Sequence, residues 1–207
     1  FKKRLIGLYG NAANFIEIKT FHSYCFDLLG KVGSIEKSDE ILKTTIEKIK
    51  NHEVEQSRIS KMVLVIDEAQ DMDVDEFNLI NALIEENEDM RVLAVGDDDQ
   101  NIFTFRGADS VYMEKFITEK NAKKYELFDN FRSKSNLVSF SNQFVKTINH
   151  RLKTLPIVAY DKGNGIIKTV KYLSTNLIVP TVNDIISTDL SGTTCILTQT
   201  NKEALNI

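Results

Sequence analysis

Cysteine is scarce in this 207-residue chain, long apolar runs are missing, and neither sign of charge dominates. The two cysteines, Cys25 and Cys195, lie in apolar surroundings without CxxC spacing or histidine-rich company. That argues against a disulfide framework or a zinc site and fits a reducing interior. No apolar stretch approaches the roughly 18 residues needed to cross a bilayer, and the opening FKKRLIGLYG lacks the apolar core of a signal peptide. A cytoplasmic protein without membrane contact is expected. The net charge of −4 weighs little against polyanion binding, because a groove can be basic on an acidic molecule. There is no internal repeat and no low-complexity tract. What is present, 42% hydrophobic and 27% charged residues, excludes a mainly disordered chain. The length leaves one large domain or two smaller ones open.

The stretch MVLVIDEAQD, residues 62 to 71, organises the rest. Five apolar residues without a polar face predict a central strand covered on both sides. It stops at Asp67 and Glu68, which belong at the strand's open carboxyl end because an unpaired buried carboxylate is costly. Upstream, alternation over Phe15 to Lys19 predicts a strand, Thr20 an N-cap, and Phe21, Tyr24, Cys25, Leu28 and Leu29 a helix ending at Gly30. A second helix is expected near Ser38 to Lys50, followed by a polar connection over 51 to 60. Downstream, Asp73 and Glu76 form a capping box for a helix carrying Val74, Phe77, Ile80 and Ile84, and Arg91 to Val95 is the next strand. Strand, helix and strand with short links predict a parallel sheet. A helix over Ser110 to Ile117 and a strand over Lys124 to Phe128 repeat the theme. Ser133 then caps a long helix with Leu137, Phe140, Phe144 and Ile148 on one face. The end reads as strand Ile166 to Tyr172, helix Val182 to Ser187, strand Cys195 to Thr198 and a helix beginning at Asn201.

Three predicted strands finish in polar clusters: Asp67 and Glu68, Asp97 to Gln100, and Asn130 to Arg132. Ligands of open α/β sheets bind outside the carboxyl strand ends, where these clusters can converge. Two acids, a glutamine and an arginine match the needs of phosphoryl transfer: a Mg²⁺ carboxylate, a base for water, a polar γ-phosphate contact and a cation for developing charge. Taken singly, each has a plainer explanation, such as a helix N-terminal acid or a solvated surface arginine.

Four strings in order, KTFHSYCFDLL at 19 to 29, IDEAQD at 66 to 71, VGDDDQNIFTFRGAD at 95 to 109 and ELFDNFRS at 126 to 133, resemble the motifs of UvrD/Rep/PcrA-type superfamily 1 DNA helicases. The resemblance implies an α/β protein with RecA-like P-loop NTPase architecture, with residues 1 to 122 forming part of a first motor domain and 123 to 207 an incomplete second one. It implies ATP and Mg²⁺ as cofactors, Asp67 as the metal ligand, Glu68 as the residue positioning or deprotonating water, Gln100 as γ-phosphate sensor and Arg132 as arginine finger. Phe131 matches the adenine-stacking position, where Tyr is common. Phe103, Phe105 and Arg106 match a single-strand-binding segment in which Tyr and Trp are common; buried core aromatics are the competing explanation. Thr20 and His22 match family positions near the single-stranded DNA, although a structural hydrogen bond at a helix start explains His22 equally well. His52 and His150 carry no role.

The resemblance implies an ATP-dependent helicase that translocates on single-stranded DNA and opens duplex junctions. The alternatives are a helicase-nuclease subunit of a recombination or repair complex, and a non-catalytic single-strand-binding or interaction module. The sequence names no protein partner. A GxxxxGK[ST] loop, which wraps backbone amides and a lysine around phosphates, does not occur. The isolated chain is therefore expected not to hydrolyse ATP.

Overall fold

The computed structural model describes residues 2–30, 38–171, 173, 178–188 and 193–205. Helix α1 (Lys2–Tyr9) leads into a 3₁₀ turn, Gly10–Phe15. The expected strand over Phe15 to Lys19 does not form. Phe15 closes the turn, and Glu17 and Lys19 are taken up by ion pairs of Lys19 with Glu17 and Asp27 and of Lys61 with Glu17. Helix α2 (Phe21–Leu28) starts as expected, with the Thr20 side chain accepting from Ser23 N at 3.2 Å. Gly30 takes a left-handed φ of +61° just past its end, a conformation glycine adopts without a Cβ penalty. Helix α3 (Ser38–Lys50) follows, and a single turn, α4 (Gln56–Ile59), interrupts the expected polar connection.

Strand β1 (Val63–Ile66) pairs in parallel with β2 (Arg91–Ala94), Val63 opposite Arg91 and Ile66 opposite Ala94. The intervening helix α5 (Val74–Glu85) begins with the predicted capping box: Glu76 N donates to Asp73 at 2.9 Å, and Asp73 N to Glu76 at 3.3 Å. Helix α5 has two buried faces. Leu79, Ala82 and Leu83 pack with Cys25 and Leu28 of α2 and Ile41, Leu42 and Ile49 of α3. Phe77 and Ile80 join Ile66, Met72 and Phe116, the last from α6 (Val111–Thr118). Among the described residues the sheet is covered on that side only. Val63, Val65 and Leu93 are each more than half exposed, so β1 is not buried on both faces as its composition suggested.

The second strand pair is much shorter: β3 (Asp129–Asn130) lies parallel to β4 (Val158–Ala159). Residues 124–128 are not strand. Glu126 accepts from Thr154 N and Oγ1, both at 2.9 Å, and from Leu155 N at 3.2 Å, so a carboxylate takes the place of a backbone ladder there. Helix α7 (Ser135–Phe144) starts beyond Ser133, with Lys134 at its N-cap position. Phe140 and Phe144 are exposed while Val138 is buried. Ile166 to Lys171 and Cys195 to Thr198 form no strand, and Tyr172 lies outside the described residues. Helix α8 (Ile178–Ser187) begins four residues earlier than expected; Pro180 is tolerated there because first-turn amides lack helical acceptors. Helix α9 (Asn201–Leu205) forms as expected. Among the described residues no helix is long and apolar enough to cross a membrane, and both cysteines are free thiols.

Candidate nucleotide and nucleic-acid site

Because β1 and β2 run in parallel, their carboxyl ends deliver Asp67–Glu68 and Asp97–Gln100 to one edge of the sheet. The two loops are stitched together by backbone and side chain. Val95 N donates to Ile66 O and Ala69 N to Val95 O, each at 2.8 Å. Gln70, 2% exposed, completes the join: its Nε2 donates to Glu68 at 2.8 Å, and its Oε1 accepts from Asp97 N at 2.9 Å. Gln100 Nε2 in turn donates to Asp97 at 2.7 Å. A continuous hydrogen-bonded path therefore runs from Glu68 through Gln70 and Asp97 to Gln100. Gln70 is a bridging residue that the sequence did not single out; its signal was a glutamine set between acids immediately after a buried strand.

Glu68 itself has φ +52° and ψ +44°, a left-handed conformation that costs a non-glycine residue about 1–3 kcal/mol and persists where surrounding contacts impose it. Gly96 shows how tightly those contacts close. A Cβ there would lie 2.6 Å from Gln70 Oε1 and 3.0 Å from Ala69 N. Asp67 is exposed at the strand end, where among the described residues its Oδ1 accepts from its neighbour Glu68 N at 3.1 Å. No group of three or more metal-binding side chains occurs among the described residues. A single free carboxylate suits Mg²⁺ that keeps waters and substrate phosphates as its other ligands, as this ion commonly does. Burial and the charge of Glu68 raise the Asp71 carboxyl above its ordinary range, and its Oδ1 has no partner.

The aromatic turn is tied to this edge. Asn101 Nδ2 donates to Gln70 O at 2.9 Å, and Asn101 Oδ1 accepts from Phe103 N at 3.3 Å. The rings of Phe103 and Phe105 lie 6.1 Å apart, and the Arg106 guanidinium stands 5.8 Å above Phe103. Phe105 is 83% exposed, which rules out a core role for that ring, while Phe103 is half-buried. Thr20 is committed to capping α2, and His22 is half-buried on its first turn.

Phe131 and Arg132 leave the end of β3 through a turn in which Asn130 Oδ1 accepts from Arg132 N and Ser133 N, at 3.1 and 2.8 Å. Among the described residues the Arg132 side chain has no hydrogen-bond or ion-pair partner, and none joins it or Phe131 to the Glu68–Gln100 path. Phe131 stacks at 4.8 Å on Tyr160, which follows the paired strand β4. Both rings are 71% exposed, so parallel pairing places two aromatic residues side by side at the strand ends. Tyr160 was not a sequence candidate, because its partner strand is too short to announce itself.

Comparison with known proteins adds sequence similarity to this geometry. Residues 36–121 match the model of the UvrD/REP helicase N-terminal domain. The chain is similar to the RecBCD enzyme subunit RecB of Buchnera aphidicola subsp. Acyrthosiphon pisum, 31% identical over 61% of the chain and 10% of that protein. It is similar to the ATP-dependent DNA helicase Rep of Buchnera aphidicola subsp. Schizaphis graminum, 28% identical over 70% of the chain and 22% of that protein. To DNA helicase II of Escherichia coli it is 33% identical over 43% of the chain and 12% of that protein. The chain thus spans between 10% and 22% of the length of these relatives.

Proposed function

We propose that this chain, which belongs to the UvrD-type superfamily 1 helicases, carries the water-activating and γ-phosphate-sensing part of an ATP-driven DNA motor. The path Glu68–Gln70–Asp97–Gln100 supports this most directly. It places a carboxylate able to orient water and an amide able to contact a terminal phosphate on one hydrogen-bonded strand-end framework. Asp67 would hold Mg²⁺, whose charge would stabilise the phosphate oxygens. Phe131, paired with Tyr160, offers the nucleobase a stacking face, and Arg132 offers a free guanidinium for charge developing on the transferred phosphoryl group. Residues 1 to 122 act as part of one motor domain and 123 to 207 as part of the second, with ATP between them.

The exposed Phe105 ring and Arg106 provide a platform for single-stranded DNA, since every base presents a face for stacking. Asn101 bonds both Gln70 and the aromatic turn, so a change at the phosphate contact reaches the DNA platform through one side chain. In the full-length protein this coupling would drive translocation on single-stranded DNA and opening of duplex junctions. The similarity to RecB supports a second reading, in which the motor works as a subunit of a larger recombination enzyme.

Glu68→Gln in the full-length protein tests the assignment. Hydrolysis should fall about 10²–10⁴-fold, the usual contribution of a positioned acid or base, while ATP binding stays within a few-fold. Turnover equal to the parent protein's would remove Glu68 from the mechanism.

A further inference from the structure

The three aspartates of the loop after β2 are all held by the segment that follows α7. Arg151 Nε donates to Asp99 Oδ1 at 2.6 Å, and its Nη2 donates to Asp99 Oδ2 at 2.7 Å. Lys153 Nζ lies 2.6 Å from Asp97 Oδ1 and 3.2 Å from Asp99 Oδ2. Leu152 N donates to Asp98. These are not solvated surface pairs of small consequence. The Asp99 side chain is 6% exposed and that of Lys153 17%, so removing one partner leaves a desolvated charge unpaired.

Asp97 is the junction. Its Oδ1 meets Lys153, and its Oδ2 accepts from Gln100 Nε2 at 2.7 Å. We propose that Arg151 and Lys153 are positioning residues for Gln100, holding the aspartate loop so that its amide either rests on Asp97 or turns to the terminal phosphate. The inference rests on the assignment of Gln100 above. When Gln100 turns away, Lys153 remains as the side-chain partner of Asp97 and keeps the carboxylate compensated, so the exchange costs little. The same segment is joined through α7 to Phe131 and Arg132. The ion-pair cluster therefore fixes the spacing between the γ-phosphate contact on one strand pair and Arg132 on the other.

Neither basic residue contacts nucleotide in this scheme, so each should act on turnover rather than on ATP affinity. The test measures DNA-stimulated ATP hydrolysis by the full-length protein carrying Arg151→Lys, Gln100→Ala or both. Arg151→Lys keeps the charge and loses the two-point geometry. It should lower kcat about threefold to tenfold with KM for ATP within about twofold, and it should add nothing further on the Gln100→Ala background. Lys153→Arg, which retains charge and reach, should keep kcat within about twofold of the parent. Independent, multiplying losses from Arg151→Lys and Gln100→Ala would overturn the proposal, as would a fall in kcat matched by a comparable rise in KM. If Gln100→Ala alone leaves turnover intact, the γ-phosphate assignment fails and the proposal with it. A damaged Gln100→Ala enzyme with additive Arg151→Lys fails the proposal alone.

Discussion

The two parallel strand pairs are held by different means. Around β1 and β2, apolar side chains from α2, α3, α5 and α6 form two clusters that meet through α5. Around β3 and β4, Val138 and Ala159 are the buried hydrophobic residues found beyond residue 122 among those described. Reciprocal amide contacts take over there. Asn142 donates to Ile157 O at 2.7 Å and accepts from Ile157 N at 3.1 Å. Asn136 does the same with Gly165, at 2.7 and 2.6 Å. Each asparagine imitates one rung of a β-ladder. The first region is ordered by burial, which is non-directional and additive; the second by directional bonds that each contribute about 0.5–1.5 kcal/mol net.

That contrast can be broken by truncation. Leu79→Ala, at a fully buried position on α5, should cost about 2–5 kcal/mol, whereas Leu137→Ala on half-buried α7 should cost about 1 kcal/mol or less. Urea unfolding of the full-length protein, followed by probes in each region, decides this; equal losses would mean that the second region has an apolar core of similar weight. Enlarging a glycine gives a smaller effect in the same direction. Gly96→Ala drives a methyl against the backbone of Ala69 and Gln70 and should cost about 1–3 kcal/mol. Gly163→Ala meets the Asp161 side chain, at 3.0 Å, which can swing aside, so its midpoint should barely move.

The remaining comparison is in pH dependence. Burial, with the nearby Asp73 charge, raises Glu76 to about 7 from an ordinary 4.5. The folded form therefore holds this proton more tightly than the unfolded chain. Its contribution to stability is greatest below the ordinary value, declines as pH rises between 4.5 and about 7, and is flat above. Glu76→Gln, which keeps an oxygen for Asp73 N, should flatten that decline and raise the melting temperature at pH above about 7. An unchanged slope would show that Glu76 is better solvated than its position indicates. Asp99 runs the opposite way: its bond with Arg151 lowers its pKa, so its contribution is present at neutral pH and lost on acidification.

Much of the first region is legible in the amino-acid order. The capping box at Asp73 and Glu76, the Thr20 cap and the Gly30 stop are local, so short-range chemistry announces them. The strand ends carrying Asp67, Glu68 and Gln100 follow from an apolar run that stops at acids. What is not legible, in either region, depends on distant partners. Phe15 to Lys19 has a strand's alternation but no neighbouring strand among the described residues, and its charges go to Asp27 and Lys61 instead. Lys124 to Phe128 has a strand's composition, yet Glu126 satisfies the adjacent chain with its carboxylate. Arg151 and Lys153 have the local pattern of ordinary surface cations in a turn.

The amino-acid order by itself determined which groups are available at each strand end, because an apolar run that stops at charge leaves the acids that follow beyond the covered part of the strand. It also placed in order the four motifs that carry the resemblance to UvrD-type helicases. Tertiary structure decided which groups touch. Gln70 became the bridge from Glu68 to Asp97, Tyr160 became the neighbour of Phe131, and the three aspartates became partners of a segment more than fifty residues away. Hydrogen bonds and ion pairs across such separations depend on where parallel strands bring their ends together, and no local pattern encodes that.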